Sequence, residues 1–561
     1  MRTDRDALTR RTFLRGAGAG AVALSAFGAT PAAALARRAA AGPGGLSLAS
    51  GADPRLLPSP REIRRQVEAM VSLGPRLTGT AAQNAWIDQL EQDWSDAGVA
   101  VTRDHFTFTR WLAESWSLEL LDGPGAGPVP ISSPFPYTAP TAPAGAVAPL
   151  VYAGPVPLPS ISGNPLDLLT DRWALARWRS ELATNVQAQL AAIPAGVKGN
   201  IVLTEAPVPP LSAGDFTPFV TYTSEPRETK AVTDLWNDYK RIWIVGAFIQ
   251  YVLEAIEQAS PAGVVFILDA SARNAAGQYT PYAQPIFSVP AVYVDRDTGT
   301  RLRAAAQATP RARLTLTAEI APNTPSDSLV GVMPGDGSTD EVVILNTHTD
   351  GQNAFEENGG IALTAMARYF KALGRKARRR TLVFSAFTGH FGPGLPQAQG
   401  FVDNHPDLIK RAAASVTVEH FGATEWLDNA RGYYPTGQME IGAAWHSQSG
   451  IAVPLVESLR ANDFYRTSAL RPIGDYMVAV GGPFHRAGVP TISYIAGPNY
   501  LVDLDPNNHI DKLDTNWFAT ELRWLADIIQ RLDTIPKALL QAGDTAVYST
   551  TGDPLVQTPL P

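Results

Sequence analysis

The chain has 561 residues, 45% of them hydrophobic and 18% charged, with a formal net charge of −7, 8 histidines and no cysteine. That length accommodates two or three domains at roughly 150 residues each. The acidic balance argues against a nucleic-acid surface, and the missing thiols exclude disulfides and cysteine-based metal or redox chemistry. The N-terminus reads as an export signal over residues 1–36. Arg10-Arg11 precede Phe13-Leu14, a Gly/Ala-rich apolar stretch follows from Gly16, and Ala34-Leu35-Ala36 has the small-residue pattern of a cleavage site. The paired arginines match twin-arginine export, and the stretch is too short and too rich in glycine to span a bilayer. A secreted or extracytoplasmic protein without a membrane anchor after cleavage is expected, preceded by a Pro/Gly/Ser-rich linker over 37–60.

Two helices follow, because Ile63, Val67, Met70 and Val71, then Trp86, Leu90 and Trp94, recur at helical spacing before Gly98. A strand leads on through "VTRDHFTF". Residues 122–165, rich in Pro, Gly and Ala, predict a linker or irregular strands. Short strands at Ile201–Thr204, Val264–Leu268 and Ala291–Val294 alternate with a helical run near 231–258 and predict a small α/β module without polar clusters. From Ser328 to Leu532, "VVILNTH", "RTLVFSAF", "ASVTVEH" and "VPTISYIAG" read as buried strands of a mixed, mostly parallel sheet flanked by helices. One helix carries Ile361, Leu363, Met366 and Phe370; the last, "TNWFATELRWLADIIQRL", has Asp514 as its expected N-cap. The predicted organisation is an α/β domain over 55–140 and 320–535, an insert over 141–319 and a tail over 536–561.

Ligands of open α/β sheets sit beyond the carboxyl ends of the strands. There this chain places His348 and Asp350, with Glu356 and Glu357 close behind, His390 after the second strand, Glu419 and His420 after the third, and Asp503, Asp505 and His509 after the fourth. A lone histidine is more often a satisfied structural residue than a ligand; several on one sheet edge point to a metal. Imidazole and carboxylate without thiolate suit zinc or another borderline divalent ion. Asp350 is spaced to hold the second ring nitrogen of His348. "DLDPNNHIDKLD" (503–514) imitates the start of a calcium loop, but Asn508 and Asp514 stand where Gly and Glu belong, so a plain loop and a weak calcium site are both open. Ser447 and Ser449 lie beside His446, but no GxSxG elbow supports a serine hydrolase.

Taken in order, "LGPRLTGTAAQNAWIDQLEQDWSDAGV", "HTD", "EENGG", "RRTLVFSAFTGHFG", "EHFG" and "FHRAGVPTISYIAGPNYL" resemble the secreted zinc aminopeptidases, whose superfamily includes glutamate carboxypeptidases and glutaminyl cyclases. "KGNIVL", "AGVVFILD" and "VPAVYV" resemble the protease-associated domain often inserted in them. The resemblance spans nearly the whole mature chain, and its specificity lies in the ordered set. In that family an HxD histidine, a bridging aspartate, a GEE glutamate pair, a later aspartate and a late histidine hold two zinc ions, and the first glutamate is the general base. His348 and Asp350 match HxD, Glu356 or Glu357 takes the bridging place, and Glu419 stands for the later aspartate. Gly389-His390-Phe391 replaces the glutamate pair. The resemblance therefore implies one zinc rather than two, with ligands His348, Glu356, Glu419 and His509, catalytic Glu357 and His390, and supporting Asp350 and His420. The expected substrate is a peptide or small amide, cleaved at its N-terminal residue. The same departure leaves a second reading open, an inactive relative that acts as a binding protein; oligomeric state is not legible.

Overall fold

The computed structural model describes residues 51–161, 165–169, 171–206, 213–224, 240–279, 286–429, 431–542, 546–548 and 554–557. The predicted export signal, the linker up to residue 50, the start of the helical run near 231–258 and part of the tail lie outside these residues.

The apolar runs of the second half fold into a mixed α/β architecture whose central strands are parallel. Strand Val342–His348 pairs with Thr381–Phe387 on one side, from Val342↔Thr381 to His348↔Phe387, and with Ala412–Val418 on the other. Thr491–Ala496 continues the parallel order beyond Ala412–Val418. Alternation divides each run between two cores. Val343 and Leu345 pack with Phe384 and Val416 on one face; Val342 and Ile344 pack with Val383 and Phe387 on the other. Burial on both faces is why these strands read as unbroken apolar runs. Helices Pro60–Ser72, Ala81–Asp96, Gly359–Leu373 and Thr515–Thr534 cover the first face through Ile63, Trp86, Met366 and Leu525 among others. Asp514 caps the last helix as expected, accepting from Asn516 N and Trp517 N at 2.9 Å each.

Beyond these strands, Gly442–His446 adds antiparallel to Thr491–Ala496, followed by Thr467–Leu470 and, at the edge, Val220–Ser224. On the other side the sheet continues through an antiparallel pair of strands longer than the sequence suggests. Ala100–Leu120 runs antiparallel to Arg311–Met333 from Ala100↔Val332 to Leu120↔Ala312, with irregularities near Phe108 and Ala113. The long strand joins two parts of the sheet: its start pairs with Ala146–Pro149 and its end with Leu382–Ala386.

The predicted short strands are present at Ile201–Glu205, Gly263–Ile267 and Ala291–Val294, all parallel, with Ala146–Pro155 alongside. They have their own apolar layers, with Val202, Val264 and Tyr293 on one face and Ile201, Val265 and Val292 on the other. Helix Arg172–Ala191, absent from the sequence reading, buries Trp178, Leu182, Val186 and Leu190 against the first layer. Two features tie this region to the other strands. Val220–Ser224 crosses to the far sheet edge, and the buried Arg241 bonds Glu425 at 3.0 Å and Glu440 at 2.7 Å. Among the described residues no helix is long and apolar enough to cross a membrane.

Candidate metal centre

The strand ends deliver their polar residues to one place. His348 closes the first parallel strand, Glu419 and His420 follow Ala412–Val418, and the turn after His348 carries Glu356 and Glu357 back toward it before helix Gly359–Leu373 starts. That start must approach closely: a Cβ at Gly359 would lie 2.2 Å from Thr347 Oγ1 and 2.5 Å from the Val418 carbonyl oxygen. Only glycine fits between two strand ends there. The donor atoms of His348, Glu357, Glu419 and His420 all lie within 4.8 Å of one another, and so do those of His348, Glu356 and His390. His348 Nε2 is 3.5 Å from Glu356 Oε1 and 3.6 Å from Glu357 Oε2; His420 Nε2 is 2.6 Å from Glu356 Oε2 and 3.5 Å from Glu357 Oε2. The ring of His390 stacks on that of His348 with centroids 4.2 Å apart, and its Nε2 lies 3.7 Å from Glu356 Oε1. His348, Glu356, Glu357, Glu419 and His420 are at most 2% exposed, whereas the His390 side chain is 16% exposed and forms the solvent-facing side.

Each imidazole is oriented through its other nitrogen. His420 Nδ1 lies 2.6 Å from the Ala496 carbonyl, and His348 Nδ1 lies 2.9 Å from the Asp350 carbonyl. Each Nδ1 therefore donates to its carbonyl, and both Nε2 atoms face the carboxylates. Asp350 Oδ1 adds a contact to His348 Nδ1 at 3.5 Å, while its Oδ2 accepts from Thr78 Oγ1 and from Phe391 N at 2.9 Å. Val480 N holds Glu419 Oε1 at 3.0 Å, and Gly359 N holds Glu357 Oε1. His420 itself adopts φ 62°, a left-handed backbone state uncommon outside glycine.

What remains is a set of buried atoms that crowd together: His348 Nε2, Glu357 Oε2 and Glu356 Oε1 have no hydrogen bond, and His420 Nε2 meets Glu356 Oε2 at 2.6 Å. Buried polar atoms are normally paired, and these five converge. Electrostatics says the same. Burial opposes charge on His348, but Asp350 and the carboxylates of Glu357, Glu419 and Glu356 override it and push its pKa up to about 10. His420 is pushed up to about 9 against burial, chiefly by Glu356. Burial drives Glu357 up to about 8 despite both imidazoles, and Glu356 is held low against burial by His420, His348 and His390. Carboxylates outnumber cations here, so the protein compensates by taking up protons. A divalent ion with nitrogen and oxygen ligands answers both the missing partners and the missing charge.

The expected site residues divide accordingly. His348, Glu356, Glu357, Glu419 and His390 are brought together. His420, expected only to support, places its Nε2 in the group of four. The GEE position retains a role through its main chain, since Phe391 N holds Asp350 while its ring packs 6.1 Å from that of His348. His509 is not brought to this group: its Nε2 bonds Asp503 Oδ1 and its Nδ1 accepts from Lys512 Nζ at 2.6 Å. The calcium reading of 503–514 gains no support. Asp503 is committed to His509, Asp505 Oδ1 accepts from Asn507 N at 2.6 Å, and no group of three ligands gathers there among the described residues. His446 bonds Thr221 Oγ1 at 2.7 Å through Nε2, while Ser447 donates to Gln448 and Ser449 to the Ala542 carbonyl. No nucleophile–base pair forms.

The sheet with its helical layers and a buried His/Glu cluster at the carboxyl ends of parallel strands defines a zinc-peptidase-like fold. No family model and no curated protein sequence matches the chain. Solved structures do. The Peptidase M28 precursor from Shewanella amazonensis SB2B superposes with TM-score 0.58 at 15% identity, over 90% of this chain and 96% of that one. BSAP, a zinc aminopeptidase from Bacillus subtilis, gives 0.53 at 14% identity over 85% and 95%. The aminopeptidase from Aneurinibacillus sp. strain AM-1 gives 0.52 at 15% identity over 91% and 99%. At such identities the likeness is one of fold.

Proposed function

We propose that the protein is an exported zinc-dependent amide hydrolase of the aminopeptidase type, with one ion held by His348, Glu357, Glu419 and His420. One observation carries this reading: buried imidazole and carboxylate atoms lacking partners converge at the strand ends of a fold shared with zinc aminopeptidases. A zinc ion bound there supplies Lewis acidity toward water and toward the scissile carbonyl. The remaining work belongs to side chains. Glu356, whose Oε1 has no hydrogen bond, accepts a proton from the attacking water. His390, stacked on His348 at the exposed side, relays that proton to the departing amine. Asp350 keeps His348 in the tautomer that offers Nε2. The twin-arginine pattern at residues 9–15 supports export, and the region over 141–319 is read as a protease-associated module lying beside the site.

One observation favours a binding protein without catalysis, namely phenylalanine at position 391 where a carboxylate ligand is expected. Metal analysis of the purified protein with a panel of amino-acyl anilides decides between them. We expect about one zinc per chain, turnover abolished by chelation and restored by zinc. Protein without zinc and without metal-dependent turnover leaves only the binding reading.

A further inference from the structure

The turn that presents Glu356 and Glu357 makes a close self-approach. A Cβ at Gly351 would lie 1.5 Å from the Glu356 carbonyl oxygen, so the chain nearly touches itself five residues later. Such a turn is not held by its own hydrogen bonds alone. Arg76 is fully buried beneath it and contacts it four times. Its main chain exchanges hydrogen bonds with Gly351, at 2.8 Å and 2.9 Å. Its Nη2 donates to the Asn353 carbonyl at 2.7 Å and to the Glu356 carbonyl at 2.8 Å. One nitrogen thus clamps both limbs of the turn.

Burying a guanidinium for this purpose is expensive, and Nε has no hydrogen bond to offset the cost. Burial lowers the pKa to about 10, yet Glu357, Glu356 and Asp350 keep the group charged at neutral pH. Lysine offers a point charge where arginine offers a rigid planar fork. The use of arginine fits a geometric task.

We infer that Arg76 is a positioning residue of the proposed centre, holding the 351–356 turn closed so that both glutamates meet the imidazoles of His348 and His420. The inference rests on the metal-centre reading above. Charge and clamp make opposite forecasts. A cation near the ion weakens metal binding, so if charge were its main effect, removing Arg76 would tighten zinc; if the clamp dominates, removal loosens it.

The test compares the full-length wild-type protein with Arg76→Lys and Arg76→Met, measuring zinc affinity against a chromophoric chelator, the visible spectrum of the Co2+-loaded protein, and melting of the metal-free forms. We expect Arg76→Lys, which keeps the charge, to lose about tenfold to a hundredfold in zinc affinity and to shift the Co2+ spectrum, with Arg76→Met at least as affected. A role confined to fold stability would lower the melting temperature and leave the Co2+ spectrum unchanged. Zinc affinity within about twofold of wild type in both variants overturns the inference, as does tighter binding in Arg76→Met. If Arg76→Met does not fold, Arg76→Lys decides. Failure of the wild-type protein to bind zinc is a different outcome, overturning the centre itself and this role with it.

Discussion

Two buried clusters of histidine with carboxylates sit in this molecule, and they behave oppositely. In one, Asp503, His509 and Lys512 form a closed chain: carboxylate, imidazole and ammonium in line, each ring nitrogen occupied. The ammonium lies 4.8 Å from the Trp426 ring centroid and 5.3 Å from that of Tyr500. Both ring nitrogens of His509 have a partner. In the other, His348 Nε2, Glu357 Oε2 and Glu356 Oε1 have no hydrogen bond, and the group of His348, His420, Glu356, Glu357 and Glu419 carries negative charge in excess. A histidine near acids is therefore weak evidence for a metal, whereas a histidine whose free nitrogen faces unpaired carboxylates is strong evidence. The difference lies in satisfaction, which Lys512 completes in the first cluster and no lysine completes in the second.

Breaking the unsatisfied cluster gives the largest expected effects. His348→Ala or His420→Ala removes a ligand, and zinc affinity falls beyond the about 10–100-fold typical of outer-shell changes, with turnover lost; isothermal titration of each variant measures this. His390→Gln keeps zinc at wild-type stoichiometry and lowers kcat by about 100-fold or more, since it removes only the proton relay. Steady-state kinetics beside metal analysis separates that outcome from ligand loss.

Protonation sharpens the contrast. Asp350 and the carboxylates hold the His348 pKa at about 10 and that of His420 at about 9 against burial, so in the metal-free protein both carry protons at pH 7. Zinc must displace them, and its affinity therefore rises with pH, by about tenfold per unit for each proton displaced. Calorimetry in buffers of different ionisation enthalpy should count at least one proton released. His509, which burial and Lys512 hold down at about 3, is neutral before and after and contributes none. The smallest effect on the centre belongs to His509→Asn, with zinc affinity within about twofold of wild type. Its cost appears in chemical denaturation instead, about 1–3 kcal/mol, because Asp503 and Lys512 lose a buried hydrogen-bond partner.

Much of this arrangement was legible in the sequence, and the parts that were not have physical causes. Parallel strands buried on both faces announce themselves as apolar runs, so Val342–His348 and its neighbours could be placed, and with them His348, Glu419 and His390 at the strand ends. His420 was misjudged because strand residues alternate between faces, which sends Glu419 and His420 apart. Past the strand end the left-handed backbone at His420 breaks that alternation and brings both to one side. His509 was expected at the site because spacing cannot reveal that Asp503 and Lys512 already occupy its ring. Helix Arg172–Ala191 carried a usable signal in Trp178, Leu182, Val186 and Leu190, spaced by four. The long Arg311–Met333 strand was hidden by Pro322 and Pro325, which argue against a strand interior from sequence alone.

Zinc K-edge absorption on the loaded protein tests the central claim most directly. The account predicts a shell of nitrogen and oxygen alone at about 2.0–2.2 Å, with the outer-shell scattering of two imidazoles and no second metal nearby. A shell with no imidazole signature, or one showing a neighbouring metal at about 3.5–4 Å, contradicts it.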